Sequence, residues 1–100
     1  MSEKFTIEII APDKTILKTD AHEVTIPSFE GEMGILKDHI PLITFLRPGL
    51  IKIFNEVETT YFIEEGTVEF SDNKLLILTS TAIDLSKIDK KFMEALINKS

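Results

Sequence analysis

The residues of this sequence that could take part in chemistry are few and widely spaced. Two histidines, His22 and His39, lie far apart, and neither has further ligand residues at the spacing that zinc sites use. Cysteine is absent, which excludes disulfides, thiolate metal sites and cysteine nucleophiles. We therefore predict no metal site and no cofactor. The simpler interpretation places His22 at a strand edge and His39 in a turn.

Two pairs of carboxylates, Glu30 with Glu32 and Glu64 with Glu65, are the remaining candidates for catalysis. A glycosidase holds two carboxylates on opposite sides of a cleft, and a domain of this size has little room for one. No G-x-S-x-G nucleophile motif is present, and no G-K-[ST] follows Gly31 and Gly34 to hold phosphate. We predict no catalytic residues and no enzyme activity, although members of a Ser-His-Asp triad meet only in space. A small hydrolase that uses carboxylates stays an alternative, decided by assay.

Composition and charge narrow the classes of partner. One hundred residues, 43% of them hydrophobic, suit one globular domain with a modest core. A net charge of −6 disfavours nucleic acid and repels anionic lipid. The N-terminus lacks the pattern of a secretory signal, and no apolar run approaches the roughly 20 residues that span a bilayer. We therefore expect a soluble chain that approaches a membrane only through other proteins.

Period-two alternation is the dominant pattern and predicts β-strands. Phe5, Ile7 and Ile9 fall on one face of the first strand, and similar short runs follow up to Leu78. Turns are predicted at four pairs, with a type II turn at the second: Pro12–Asp13, Pro48–Gly49, Asn55–Glu56 and Asp72–Asn73. The fold class is therefore mainly β, an antiparallel β-sandwich or flattened barrel of about eight to ten short strands.

The last residues change to a helical period. Ser86 is a suitable N-cap, and an apolar stripe of Leu85, Ile88, Phe92 and Leu96 follows. We predict one short C-terminal α-helix, with residues 1–85 as the β-sandwich domain and residues 86–100 as the start of a helical region. A helix this short needs an apolar surface to pack against.

The segment from Ser28 to Pro41, SFEGEMGILKDHIP, combines glycines, acidic residues and apolar residues. We interpret it as a tight loop in which Gly31 and Gly34 take positive φ or permit a close backbone approach. Its core, EGEMGIL, together with HIPLIT at residues 39–44, resembles the epsilon-subunit signature of bacterial and chloroplast F-type ATP synthases. RPGLIKI at residues 47–53 resembles a later segment of the same family, and the resemblance covers roughly residues 4–85.

The resemblance implies a non-catalytic rotor subunit in the central stalk of a proton-translocating F-type ATP synthase. Its implied partners are the gamma subunit and the c-ring, and its implied place is the cytoplasmic side of the bacterial plasma membrane, held there by those partners. Glu30, Glu32 and His39 become candidates for contact with the c-ring, whose loops carry basic and polar residues in this family. Ile88, Phe92 and Leu96 become candidates for packing against gamma or a second helix.

Two departures from the family pattern limit what can be transferred. Lys37 and Asp38 stand where the family usually has Pro-Gly. Family members also commonly continue into a two-helix hairpin. Inhibition of ATP hydrolysis and ATP binding depend on that hairpin, so neither is carried over. The competing interpretation is a β-sandwich that binds a small ligand or a carbohydrate. It requires a concave pocket lined by aromatic residues, whereas the chain has no Trp and a single Tyr, Tyr61.

Overall fold

A computed structural model describes residues 3–85, which form ten β-strands joined by short turns. The strands are β1 (Phe5–Ala11), β2 (Lys14–Ala21), β3 (Glu23–Ser28), β4 (Gly31–Leu36), β5 (Leu42–Leu46), β6 (Gly49–Phe54), β7 (Thr59–Ile63), β8 (Gly66–Ser71), β9 (Lys74–Leu78) and β10 (Ala82–Asp84). This number confirms the prediction from alternation. The helix predicted over residues 86–100, with Ile88, Phe92 and Leu96 on its stripe, lies outside the described residues.

The strands form two halves of five, joined along the end of β3. The first half has the order β4-β3-β6-β7-β10, and the second has the order β5-β8-β9-β1-β2. At the junction Ser28 of β3 pairs with Leu46 of β5, and the backbone N–H of Arg47 donates a 2.8 Å hydrogen bond to the carbonyl of Pro27. The predicted sandwich or flattened barrel is confirmed.

A single apolar core lies between the two halves. In β1 the burial alternates along the strand, with Phe5, Ile7 and Ile9 inside, as the period-two pattern predicts. The rings of Phe5 and Phe70 pack edge to face with centroids 5.6 Å apart. The other buried members of this cluster are Ala21, Val24, Ile26, Ile35, Leu46, Ile51, Ile53, Tyr61, Ile63, Val68, Leu75 and Ile77.

One strand pair departs from the antiparallel pattern. β1 and β9 run in the same direction, with Thr6 opposite Lys74 and Ile10 opposite Leu78. Antiparallel neighbours can be joined by a tight hairpin, whereas a parallel pair needs a longer connection. Most of the chain separates β1 from β9, so connectivity permits the parallel arrangement, which local alternation could not reveal.

The interpretation of residues 28–41 as a loop is wrong over Gly31–Leu36, which is the whole of β4. Every residue of this strand pairs with β3, from Gly31 opposite Ser28 to Leu36 opposite Glu23. Met33 and Ile35 point toward the core at the period of a strand. The exposed positions are Glu32, Gly34 and Leu36, and this mixture of acidic, glycine and apolar residues hid the alternation.

The predicted type II turn at Pro48–Gly49 is also wrong. Such a turn needs positive φ at its third residue, and Gly49 instead begins β6 without one. A Cβ at Gly49 would lie 2.9 Å from Cβ of Pro27. Glycine is favoured there because the Pro27 side chain occupies the space that a Cβ would take. The predicted turn at Asp72–Asn73 is confirmed, since both residues have positive φ between β8 and β9.

Candidate interaction surfaces

The turn between β3 and β4 places Phe29 and Glu30 at its tip. Ser28 and Gly31 close it, and the Ser28 hydroxyl donates a 2.6 Å hydrogen bond to the carbonyl oxygen of Gly31. Gly31 has a φ of 123°, which L side chains rarely adopt. Gly34 has no positive φ, and a Cβ there would lie 3.2 Å from the movable carboxylate of Glu23. Of these two glycines, only Gly31 has a backbone conformation that favours glycine.

Four carboxylates are brought to the same end of the sandwich. Glu30 and Glu32 project from the β3–β4 turn and the start of β4, and both are exposed. Glu64 and Glu65 form the exposed turn between β7 and β8. Ser28 pairs with Leu46 and Leu46 pairs with Gly66, so two strand spacings, about 10 Å, separate the two turns. We call this group, Glu30, Glu32, Glu64 and Glu65, the acidic end.

In the sequence, Glu64 with Glu65 and Glu30 with Glu32 are two separate pairs. Their neighbourhood depends on the pairing of β5 with both β3 and β8, which no local pattern reveals. Arg47 is exposed beside Pro27 and is a cation close to the acidic end. The four carboxylates outnumber this cation, so the acidic end favours a partner that carries positive charge.

His39 lies at the opposite end of the sandwich from Glu30 and Glu32. It precedes β5, whose first residue pairs with Phe70, whereas the last residue of β5 pairs with Gly66 near the acidic end. The four residue steps along β5 correspond to about 13 Å. The ring of His39 packs edge to face on Phe70 with centroids 5.9 Å apart, and its Nδ1 lies 2.7 Å from the carbonyl oxygen of Ile40. The three candidates therefore do not form one cluster.

An apolar strip runs between the two ends along the outer side of β5. Ile43 and Phe45 are 80% and 63% exposed, and the ring of Phe45 lies 6.3 Å from that of Phe29. Leu78 lies two strands away from Phe45, with Thr67 of β8 between them. We call Phe29, Ile43, Phe45 and Leu78 the apolar strip. Exposed apolar surface of this kind commonly marks a protein interface.

One end of the apolar strip is an open groove of about 930 Å³. Its lining includes Ile10 and Pro12 of the first hairpin, together with Phe29, Phe45, Glu65 and Leu78. This groove is the concave, aromatic-lined feature that the ligand-binding alternative requires. Its position beside the acidic end also makes it part of the surface available to a protein partner.

In the part of the chain that the structure describes, no three His, Asp or Glu side chains are grouped so that they could hold a metal ion. The hydroxyl of Ser28, the serine in the β3–β4 turn, is directed to the carbonyl of Gly31. Among the same residues, no helix is long and apolar enough to cross a membrane.

Comparison with known proteins gives a consistent family. Residues 4–85 match the family described as the ATP synthase delta/epsilon chain, beta-sandwich domain. The chain is 51% identical over 102 residues to the ATP synthase epsilon chain of Pelagibacter ubique, covering all of this chain and 78% of the relative.

Solved structures show the same likeness. A chain in the mitochondrial ATP synthase of Euglena gracilis, in a structure of OSCP, F1 and the c-ring, superposes with a TM-score of 0.81 at 29% identity. The match covers 97% of this chain and 64% of that one. A chain of the Tetrahymena thermophila mitochondrial ATP synthase, from its central stalk and c-ring, has a TM-score of 0.72 at 21% identity, covering 89% of this chain and 72% of that one, and supports the fold.

Proposed function

Because the chain belongs to the ATP synthase delta/epsilon family, whose β-sandwich domain it carries, we propose that it couples c-ring rotation to ATP synthesis in the central stalk. The chain is not itself a catalyst; it is a subunit of a membrane-associated complex. The proposed complex is a proton-translocating F-type ATP synthase. Its partners would hold the subunit at the cytoplasmic side of a bacterial plasma membrane, since a net charge of −6 opposes direct contact with anionic lipid.

The observation that carries this proposal is the placement of two unlike surfaces side by side. The acidic end is polar and exposed, and the apolar strip begins next to it at Phe29. A rotor subunit must contact a ring surface and a shaft at the same time. Two adjacent surfaces of different chemistry suit that task, and the close-packed core between the sheets gives the body its stiffness.

The acidic end is assigned to the c-ring. The family resemblance implies that the c-ring loops carry basic and polar residues, and Glu30 and Glu32 carry the opposite charge. Glu64 and Glu65 extend the same surface by about 10 Å, which fits a contact with more than one loop. Exposed ion pairs contribute about 0–1 kcal/mol each, so the contact depends on several carboxylates together.

The apolar strip is assigned to the gamma subunit. Ile43 and Phe45 would be covered by a partner that binds the strip, and burying one such side chain is worth about 1.5–3 kcal/mol. His39 precedes β5 at the far end of the strip, too distant from Glu32 to share one loop contact. We therefore assign His39 to the gamma contact and keep Glu30 and Glu32 for the c-ring. The groove beside Phe29 and Phe45 is assigned to the same protein partner rather than to a free small ligand.

Reconstitution with gamma and the c-ring, followed by ATP-driven proton pumping, tests the proposal. The variant Glu30→Gln/Glu32→Gln is expected to weaken c-ring association up to about tenfold, most strongly at low salt. The matched control, Glu56→Gln/Glu58→Gln, removes the same charge from the exposed β6–β7 turn at the opposite end. It should bind and couple like the parent.

Two outcomes would contradict different parts of the proposal. If the Glu30→Gln/Glu32→Gln variant binds the c-ring like the control at every salt concentration, the assignment of the acidic end is wrong. If the unaltered chain binds neither gamma nor the c-ring, the central-stalk function is wrong.

A further inference from the structure

Asp38 adopts a backbone conformation that is unusual for a residue with a side chain. Its φ is 68°, in the left-handed region, in the loop between β4 and β5. Asparagine and aspartate tolerate this region better than most residues, but it still costs free energy relative to glycine. A contact from outside the loop helps to hold this conformation.

Asn73 supplies that constraint through two reciprocal hydrogen bonds. The backbone N–H of Asp38 donates to Oδ1 of Asn73 at 2.6 Å, and Nδ2 of Asn73 donates to Oδ1 of Asp38 at 3.0 Å. The two residues lie 35 positions apart, so this contact is tertiary. Neither the β4–β5 loop nor the β8–β9 turn could form it alone.

Asn73 is well placed to act as a fixed anchor. It occupies the tight turn between β8 and β9 with a φ of 58°, and Ser71 pairs with Lys74 to close that turn. Its carbonyl oxygen also accepts a 3.1 Å hydrogen bond from the backbone N–H of Thr6 at the start of β1. Asn73 thus connects to the loop through its side chain and to β1 through its backbone carbonyl oxygen.

The residues after Asp38 take their positions from it. The N–H of His39 donates a 3.1 Å hydrogen bond to the carbonyl of Leu36, which folds the loop back on β4. The His39 ring then rests against Phe70. Ile40, the next residue, is 74% exposed. A change in the backbone at Asp38 would move both His39 and Ile40.

We propose that Asn73 is a positioning residue, which acts through Asp38 to hold residues 37–41 in the conformation that presents His39 and Ile40 to the gamma subunit. This inference rests on the proposed function, because that function supplies the partner. Asn73 itself is a hydrogen-bonding anchor. Its contribution to binding is to keep the loop from sampling other conformations before the partner arrives.

A charge-swap series separates this role from a general effect on stability. Asn73→Asp places two carboxylates against each other and removes the Nδ2 donor, while aspartate still tolerates the positive φ of the turn. Asp38→Asn keeps an acceptor for Nδ2 of Asn73 and serves as the matched control for loss of charge. The double variant Asp38→Asn/Asn73→Asp restores donor and acceptor with the two roles exchanged.

Two measurements are made on the full chain: hydrogen exchange of the Asp38 and His39 amides, and affinity for isolated gamma. Asn73→Asp should speed exchange at both amides about tenfold and weaken gamma binding several-fold, since each 1.4 kcal/mol corresponds to a factor of ten. Asp38→Asn and the double variant should each stay within about twofold of the parent in both measurements, since a donor faces an acceptor in each.

The possible contrary results are distinct. Unchanged exchange in Asn73→Asp would show that the pair does not constrain the loop, and the proposal would be overturned. Faster exchange with unchanged affinity would overturn the positioning role. If the unaltered chain failed to bind gamma, the proposed function and this inference would both fail. If the unaltered chain bound gamma and Asn73→Asp bound it equally well, the inference alone would be overturned.

Discussion

The buried hydroxyl group of Thr79 lies 2.6 Å from the backbone carbonyl oxygen of Glu65, to which it donates a hydrogen bond. The same hydroxyl oxygen accepts a 3.2 Å hydrogen bond from the backbone N–H of Thr81. These contacts connect the segment after β9 to the β7–β8 turn. One side chain therefore supports the turn that carries half of the acidic end.

Replacing Thr79 with valine should destabilise the protein by about 1–3 kcal/mol, because it removes two part-buried hydrogen bonds, each worth about 0.5–1.5 kcal/mol. Thr79→Ser keeps the hydroxyl and is the matched control. It should lose less stability than the valine variant. Urea denaturation midpoints of the three proteins measure the difference. Equal midpoints for the valine and serine variants would show that the hydroxyl contributes nothing.

Gly31→Ala should destabilise the protein by about 1 kcal/mol or more, because alanine is strained at a φ of 123°. The free volume is not the obstacle, since no atom lies within 4 Å of the position of the added carbon. Gly34→Ala is the control in the same strand, where φ is not positive and only the movable Glu23 carboxylate is near. We expect it to be neutral or slightly stabilising. A Gly31 variant as stable as the Gly34 variant would contradict the strain argument.

Tyr61 should ionise at higher pH than an exposed tyrosine. Burial in the core raises its pKa above the ordinary value of 10.0, and the charge of Asp84, opposite it on β10, raises it further. The chain has one tyrosine and no tryptophan, so phenolate absorbance reports this residue alone. A titration midpoint at or below 10.0 in the folded protein would contradict the prediction.

The raised pKa of Tyr61 also predicts a pH dependence of stability. The unfolded chain releases the phenolic proton near pH 10.0, before the folded chain does. The contribution of protonated Tyr61 to the free energy of unfolding is therefore complete below pH 10.0. It is lost as the pH rises through the pKa of Tyr61 in the folded protein. Tyr61→Phe should lose less stability than the parent between pH 9 and 11, as read from denaturation midpoints.

Ile43→Asp should weaken binding to gamma by about tenfold or more while leaving the fold intact, because the side chain is almost fully exposed before binding. Val57→Asp is the control, since Val57 is an exposed aliphatic residue in the β6–β7 turn, outside the apolar strip. Affinity for isolated gamma and the denaturation midpoint are measured for both. If both variants bind gamma alike, the strip is not the gamma surface.

The sequence by itself determined the class of fold and much of the core. Alternation at Phe5, Ile7 and Ile9 predicts a half-buried strand because side chains on a strand point to opposite faces in turn. The Asp72–Asn73 pair predicts a tight turn because both residue types accept positive φ. These are local properties of the chain, so they can be read without knowing any distant contact.

The tertiary structure alone decided which of these elements meet. The pairing of β5 with both β3 and β8 unites Glu30 with Glu64 and Glu65, and it sends His39 to the other end. The parallel pairing of β1 with β9 and the contact of Asp38 with Asn73 join residues far apart in the chain. Such contacts depend on strand order and register, which are set by how all the apolar faces share one core rather than by any local pattern.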